Sequence, residues 1–312
     1  MTAGRAVRRV DVLVVGAGPA GLAAAARLAA AGAGRVEVLD REAQPGGVPR
    51  HCAHGGFGTW VHPLTGPGYA RLLTRGATRA GAVVRSGVTV LDWVGTRTLA
   101  TVSPQGPETI DAGAVVLATG SRERPRAARL VPGTRPAGVY TTGELQQAVH
   151  LFGHSIGTRA VVVGAQDVSY AAADTVRAAG ADVVALVTEH PRAGTARARA
   201  QWARLRHGVP LLTDTTVAEL LGHGRLSGVR VRHRDGRTAT LPCDTVVFTG
   251  DFVPDNELAR RAGIKLATGP HTSRPGVFAS GGVLHPGQRA RAATRDGAQA
   301  AGAVLEWLAD GE

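Results

Sequence analysis

One stretch limits this chain more than any other: Val12-Leu13-Val14-Val15-Gly16-Ala17-Gly18-Pro19-Ala20-Gly21-Leu22. A short apolar run ends in G-x-G-x-x-G, and an Ala-rich run with helical composition follows from Leu22 to Ala31. A second apolar run, Val36-Glu37-Val38-Leu39, then ends at Asp40. Strand, glycine turn, helix, second strand and terminal acid in this order form the βαβ fingerprint of dinucleotide binding. Gly16 is expected to turn the chain out of the strand, Gly18 to let a pyrophosphate approach bare backbone, and Gly21 to let the helix lie close on the sheet. The helix N-terminus then offers N–H groups to phosphate oxygens. Asp40 stands where it can accept hydrogen bonds from a ribose.

The pattern occurs twice. Val162-Val163-Gly164-Ala165 repeats Val14-Val15-Gly16-Ala17, with a second helical run to Gly180 and a second strand, Val183 to Val187, ending at Thr188-Glu189. Val115-Val116-Leu117-Ala118-Thr119-Gly120 has its counterpart in Val246-Val247-Phe248-Thr249-Gly250. Beyond it, Gly276-Val277-Phe278-Ala279-Ser280-Gly281-Gly282 and a helical run from about Arg289 to Leu308 return to the first pattern. The expected fold class is α/β, with two Rossmann-like three-layer units, the second inserted into the first. The boundaries read as 1–121 with 247–312, and 122–246. The second fingerprint is degraded: Gln166 and Ser169 replace the glycines at the positions of Gly18 and Gly21. A side chain at Gln166 occupies space a pyrophosphate needs.

Composition narrows the context. Among 312 residues, 44% are hydrophobic and 19% charged, so a packed core is expected rather than disorder. No apolar run reaches the ~18 residues of a membrane span, and the short basic segment before the first strand has no apolar stretch of a signal peptide. Cys52 and Cys243 form neither a CxxC pair nor a metal cluster. A cytoplasmic, non-membrane protein without a metal site is expected. The net charge of +12 is carried by arginine, since Lys265 is the sole lysine. With the excess of Ala, Gly and Val, this fits a GC-rich bacterial genome, and no nucleic-acid-binding motif accompanies it. The densest cluster, Arg192, Arg197, Arg199, Arg204 and Arg206, reads as a solvated helix face or as a docking surface for an acidic, ferredoxin-like protein.

After Asp40 and Arg41 the chain carries Gly46-Gly47 and then Val48-Pro49-Arg50-His51-Cys52-Ala53-His54. A loop of this composition either lines a site or merely turns. His51, Cys52 and His54 are the candidate catalytic residues, because a histidine there can move a proton.

Together these motifs carry a resemblance that covers essentially the whole chain. Fingerprint, A-T-G strand, second Rossmann unit, T-G strand and G-V-F-A-S-G-G resemble the two-dinucleotide-binding-domain flavoproteins, the group of thioredoxin reductase and the pyridine nucleotide-disulfide oxidoreductases. More narrowly, residues 46–52, 118–125, 135–146 and 249–259 look like the FAD subunits of amine and amino-acid dehydrogenases, such as opine oxidase, hydrogen cyanide synthase and the sarcosine oxidase α-type chain. The resemblance implies FAD on the first unit: Gly16, Gly18 and Gly21 at the pyrophosphate, Asp40 at the adenosine ribose, and Arg41 and Val90 at the adenine. It further implies Gly46, Gly47 and Arg50 along the cofactor, and Thr119, Gly120, Gly281 and Gly282 at the flavin half. Gly282 departs from the Asp that most members carry in a G-D pair. The missing CxxC argues against dithiol chemistry. The degraded second fingerprint argues against NAD(P)H, and Glu189 would favour NADH over NADPH if either binds. Two functions stay open: a flavoprotein electron-transfer subunit of an amine- or amino-acid-dehydrogenase complex with a partner dehydrogenase subunit, or a stand-alone FAD enzyme using NADH or oxidising a small amine. A small-molecule substrate and an oligomeric state are expected.

Overall fold

The structure is a computed structural model and describes residues 7–59 and 61–311. It divides into two compact units, residues to Arg122 with Val253 onward, and Glu123–Phe252.

The first unit begins with β1 (Val7–Val15), α1 (Pro19–Ala30) and β2 (Val36–Asp40). It continues with α2 (Gly66–Arg79), β3 (Val83–Ser86), β4 (Thr89–Trp93), β5 (Thr98–Ser103) and β6 (Gly106–Leu117). The sheet order is β3-β2-β1-β6-β5-β4, and a returning strand, Val277–Ala279, pairs in parallel with β6. β1 lies parallel between β2 (Val12 opposite Val36) and β6 (Val12 opposite Ala114). Central parallel strands are buried on both faces, which is why they are apolar without alternation. Val12 and Val14 face Leu22, Ala25 and Leu28 of α1 and Ala300 and Val304 of the terminal helix, Ala290–Ala309. Leu13 and Val15 face the other way, onto Leu99, Ile110 and Ile264. α1 and the terminal helix come close because their contact is made of small residues; a side chain at Gly297 would strike the Ala20 carbonyl. Truncating a fully buried Leu22 or Leu28 here to Ala should cost about 2–5 kcal/mol.

One charged cluster lies on this sheet. Glu37 of β2 is fully buried and is held by Arg8 of β1 and by Arg85 of β3 at 3.0 Å; both arginines also pair with Glu108 of β6. Burial alone would raise the Glu37 carboxyl. The hydrogen bonds and charges of Arg8 and Arg85 outweigh it and hold the group below the ordinary carboxylate range.

The second unit repeats the three-layer plan. Its parallel sheet runs Leu211–Leu212, Asp182–Val187, Arg159–Val163, Thr245–Phe248, Val139–Thr141. Helices Thr142–His150 and Asp167–Ala178 bury Leu145, Tyr170 and Val176 against Val162 and Val247. A three-stranded antiparallel sheet (Thr215–Leu221, Gly228–His233, Thr238–Pro242) covers Val161, Val246 and Phe248 with Leu220 and Val229. The return to the first unit falls at 252/253, not at 246/247. Val247 and Phe248 lie on the strand hydrogen-bonded between Arg159–Val163 and Val139–Thr141, and so belong to the inserted unit.

Candidate functional site

β1 ends at Val15, and Gly16 (φ 108°) turns the chain into α1. A side chain at Gly16 would strike the Ala118 carbonyl, and one at Gly21 the Gly16 carbonyl, so loop, helix and the end of β6 touch through backbone. Gly18 is different. Its conformation suits any residue, and a Cβ there would meet no atom within 4 Å. Nothing inside the chain demands a glycine at this position, and the bare backbone here is open to a ligand. Gly18 is also the N-cap of α1, whose N-terminus has no side-chain cap and no acid in its first turn.

The neighbouring segments close around this loop. The Gly46 N–H donates to the Ala17 carbonyl at 2.8 Å, and a Cβ at Gly47 (φ 62°) would sit 2.8 Å from the Gly18 Cα. Arg50, on the short turn Val48–His51, lays its stem over Gly46. Asp40, nearly buried at the end of β2, accepts the Ala17 N–H at 2.7 Å and the Glu42 N–H at 2.8 Å. Burial pushes its carboxyl up, with the two amides acting against that. Each carboxylate oxygen keeps a lone pair, so hydroxyl donors can still be accepted.

Thr119 Oγ1 donates to the Asp255 carbonyl at 2.6 Å, and the Asp255 N–H donates to the Gly120 carbonyl at 3.0 Å. A Cβ at Gly281 would lie 2.5 Å from the Ala20 Cβ; one at Gly282 would lie 3.0 Å from Ser121 Oγ and 3.1 Å from the Gly120 carbonyl carbon. Gly282 is therefore a packing position, and an Asp there would press on Ser121 and Gly120. These contacts link Gly16, Gly18, Gly21, Asp40, Gly46, Gly47, Gly120, Gly281 and Gly282 into one connected set of neighbours. Ser280 Oγ, beside it, is buried with no hydrogen-bond partner among the described residues. Sequence reasoning passed over Ser280; the available signal was a lone hydroxyl between an apolar strand and a glycine pair. Arg41 is exposed, its guanidinium 4.0 Å from Asp255, and Val90 lies on β4 at the sheet edge, opposite Thr101.

The three catalytic candidates separate. His51 and Cys52 are buried, and the Cys52 thiol donates to the Val48 carbonyl at 3.4 Å. His54 is exposed, with Nδ1 2.8 Å from the Gly55 carbonyl and its ring 5.3 Å from that of Phe57. The Gly66 N–H at the start of α2 donates to the carbonyls of Cys52 (3.1 Å) and His54 (3.3 Å), so α2 closes this loop.

The second glycine loop has the same path and the opposite chemistry. Gly164 (φ 127°) makes the turn, but a Cβ there would meet Thr249 Oγ1 and lie 2.6 Å from Ser169 Oγ. Ser169 Oγ, fully buried, accepts the Gln166 N–H at 3.1 Å and lies 2.6 Å from Thr249 Oγ1, whose proton goes to the Val163 carbonyl at 2.7 Å. The Gln166 amide is thus satisfied within the chain. Asp167 adds a carboxylate in the first turn, where the helix dipole favours an anion, and accepts from the Thr195 hydroxyl. Gly194 bonds the Ala165 carbonyl at 2.9 Å and lies over the Gln166 side chain. Glu189 is exposed, 4.0 Å from His190.

Arg192, Arg197 and Arg206 are exposed; the side chains of Arg199 and Arg204 lie outside the described residues. Among the described residues, no group of three or more His, Cys, Asp or Glu could hold a metal ion, and no helix is long and apolar enough to cross a membrane.

With this geometry in place, the comparisons with known proteins assign the family. The chain belongs to the pyridine nucleotide-disulphide oxidoreductase family, whose sequence profile spans residues 10–299. It is an FAD-dependent flavoprotein oxidoreductase, and the open cradle at Gly18, the uncapped α1 N-terminus and the orphaned Ser280 hydroxyl fit that cofactor on the first unit. It is 29% identical over 272 residues to the alpha subunit of sarcosine oxidase from Rhizobium meliloti (strain 1021), covering 82% of this chain and 26% of that protein. It is 30% identical over 352 aligned positions to an opine oxidase subunit of Agrobacterium tumefaciens (strain Ach5), covering 96% of this chain and 65% of that protein. The chain therefore spans less than two thirds of either relative. Its fold matches T. acidophilum thioredoxin reductase with a TM-score of 0.79 and 24% identity, covering 96% of this chain and 98% of that one.

Proposed function

We propose that this chain is the FAD-carrying electron-transfer subunit of a cytoplasmic dehydrogenase complex, with an amine or amino acid oxidised on a partner subunit. The observation that carries the reading is the contrast between an open first glycine loop and a second one closed by its own Ser169, Gln166 and Asp167. The names of the relatives, both subunits of oxidases, support it.

When bound, the flavin supplies the two-electron redox chemistry. The chain's residues bind and orient it. Gly16, Gly18 and Gly21 would admit the pyrophosphate to the N-terminus of α1, and Gly46, Gly47 and Arg50 would also hold the cofactor. Asp40 would accept the ribose hydroxyls, and Arg41 and Val90 would meet the adenine. Thr119, Gly120, Gly281 and Gly282 would hold the flavin half. His51, buried on the turn after the glycine pair, holds or moves a proton at its imidazole, while Cys52 packs and His54 faces solvent.

The test is anaerobic stopped-flow mixing of the purified yellow protein with millimolar NADPH, NADH and then candidate amines. Slow or no bleaching by either nicotinamide is expected. Rapid, saturable reduction by NADPH overturns the subunit reading, and rapid reduction by NADH alone makes this a stand-alone enzyme. FMN in place of FAD on denaturation overturns the site assignment.

A further inference from the structure

The outer face of α2 carries a charge pattern that the chain does not balance. Between Glu42 and Asp92 the sequence contains no Asp or Glu. Within that interval α2 buries Tyr69, Ala70 and Ala77, and the Tyr69 hydroxyl lies 2.6 Å from Thr294 Oγ1 of the terminal helix. The opposite face presents Arg71, Arg75 and Arg79, all exposed, in one row with i,i+4 spacing. Among the described residues none of the three has an ion pair. A solvated helix face interleaves acids with bases at this spacing, because like charges four residues apart repel. Here the repulsion stands uncompensated over about 12 Å of helix.

The row itself lines a shallow open groove of about 360 Å³, together with Leu64, Gly68, Leu72 and Gly76. Leu72 is 57% exposed. A groove lined by this arginine row and by Leu64 and Leu72 matches a helix that carries carboxylates at every fourth position and leucine-sized side chains on the adjacent stripe. A second copy of this chain would bring a like-charged row and a net charge of +12 against it. A membrane surface offers nothing to fill a groove.

The geometry points to the outer face of α2 as the docking surface for an acidic amphipathic helix of a partner protein. The inference deepens the subunit reading and rests on it for the partner's role. Because α2 begins by tying the carbonyls of Cys52 and His54 to Gly66, the docked helix sits on the element that closes the loop after the Gly46–Gly47 pair.

The probe is a fluorescein-labelled 18-residue helical peptide with Glu on one i,i+4 stripe, Leu on the next and Ala elsewhere, with a twin carrying Gln for Glu. Anisotropy titrations use the FAD-loaded protein at low salt and at 0.5 M salt. The acidic peptide is expected to bind saturably, at least tenfold tighter than its twin, and to weaken steeply with salt. R71E/R75E/R79E is expected to lose at least tenfold, while R192E/R197E/R206E, the same charge change elsewhere, changes binding less than twofold. Equal loss in both triple variants, an acidic peptide that binds no better than its twin, or anionic vesicles bound through the α2 row in place of the peptide each overturn the proposal. FAD content is read on every sample. A variant that keeps its flavin has kept its first unit folded, so loss of peptide binding by R71E/R75E/R79E with flavin retained supports this surface, whereas wild-type protein that holds FAD but fails to bind the acidic peptide rejects this surface alone. Wild-type protein that takes up no FAD rejects the function proposed above, whatever the peptide does.

Discussion

The two glycine loops of this chain make the same turn and end in opposite states. Each begins with a glycine at positive φ after a buried strand, Gly16 and Gly164. In the first, the backbone at Gly18 is left open and the helix start is uncapped. In the second, Ser169 takes the Gln166 amide, Asp167 takes the anion position, and Gly194 covers the side chain. The acids that end the following strands differ in step: Asp40 is pinned by two amides, and Glu189 is exposed. The same turn and helix are thus kept with a second loop whose Gln166 and Ser169 amides find partners inside the chain. N–H groups at a helix start that lack partners are the ones an anion can use.

The largest expected effect tests the open loop. Gly18→Leu puts a side chain into the cradle, and a penalty of ~3 kcal/mol would weaken FAD binding about a hundredfold. Gln166→Leu, the matching change in the second unit, should leave flavin content unchanged. Equal flavin loss from both, by absorbance after desalting, would remove the contrast.

A second prediction compares the sheets beneath the loops. The first unit holds the buried Glu37 between Arg8 and Arg85, whereas Val161, Val162, Val246 and Val247 of the second unit are buried and apolar. Glu37→Gln should cost about 2–3 kcal/mol in urea, since it leaves Arg8 and Arg85 with Glu108 as the one carboxylate they share. Because the folded Glu37 carboxyl is depressed, its contribution is complete above ~4.3, the unfolded value, and fades as pH falls through the folded value. Wild type should therefore lose stability below that pH more steeply than the variant; parallel acid limbs would show that the cluster is not what titrates.

The third change addresses the closed loop. Ser169→Ala orphans the Gln166 N–H and should destabilise the chain by about 1–2 kcal/mol. An unchanged denaturation midpoint would mean that the loop is not held by this bond.

The smallest effect concerns Cys243, in the second unit's core, whose thiol burial pushes up to about 11. At pH 8 about a thousandth of it is thiolate, so alkylation should await unfolding. Rapid labelling of the native protein would show the second unit to be less sealed than the first.

The sequence was most legible where function lies in contiguous residues. Val12 to Asp40 announced strand, turn, helix and acid without help from the rest of the chain, because each job falls to a residue type at a fixed step. It was least legible where partners are far apart. Gly46 and Gly47 read as glycines near a ligand, but their contact with Gly18 is tertiary. Ser169 read as a lost glycine, and its acquired role depends on Thr249, eighty residues away. Glu37 sat in an apolar strand as an apparent irregularity, since its partners Arg8 and Arg85 come from two other strands. The end of the inserted unit was misplaced because a strand's neighbours, not its own residues, decide which sheet it joins.

The interruption of the first unit also dictates an order of assembly. Its β6 must wait for Val277–Ala279, and α1 for the terminal helix, while residues 123–252 are all available to one another as soon as they emerge from the ribosome. Long-range pairing of this kind is slow because the ends must first be brought together across the intervening chain. Once the insert is compact, however, its two ends are no longer separated by a flexible loop of that length. Folding of the insert first thereby lowers the cost of closing the first unit. Refolding should show a fast phase that recovers the insert and a slower one in which flavin uptake appears.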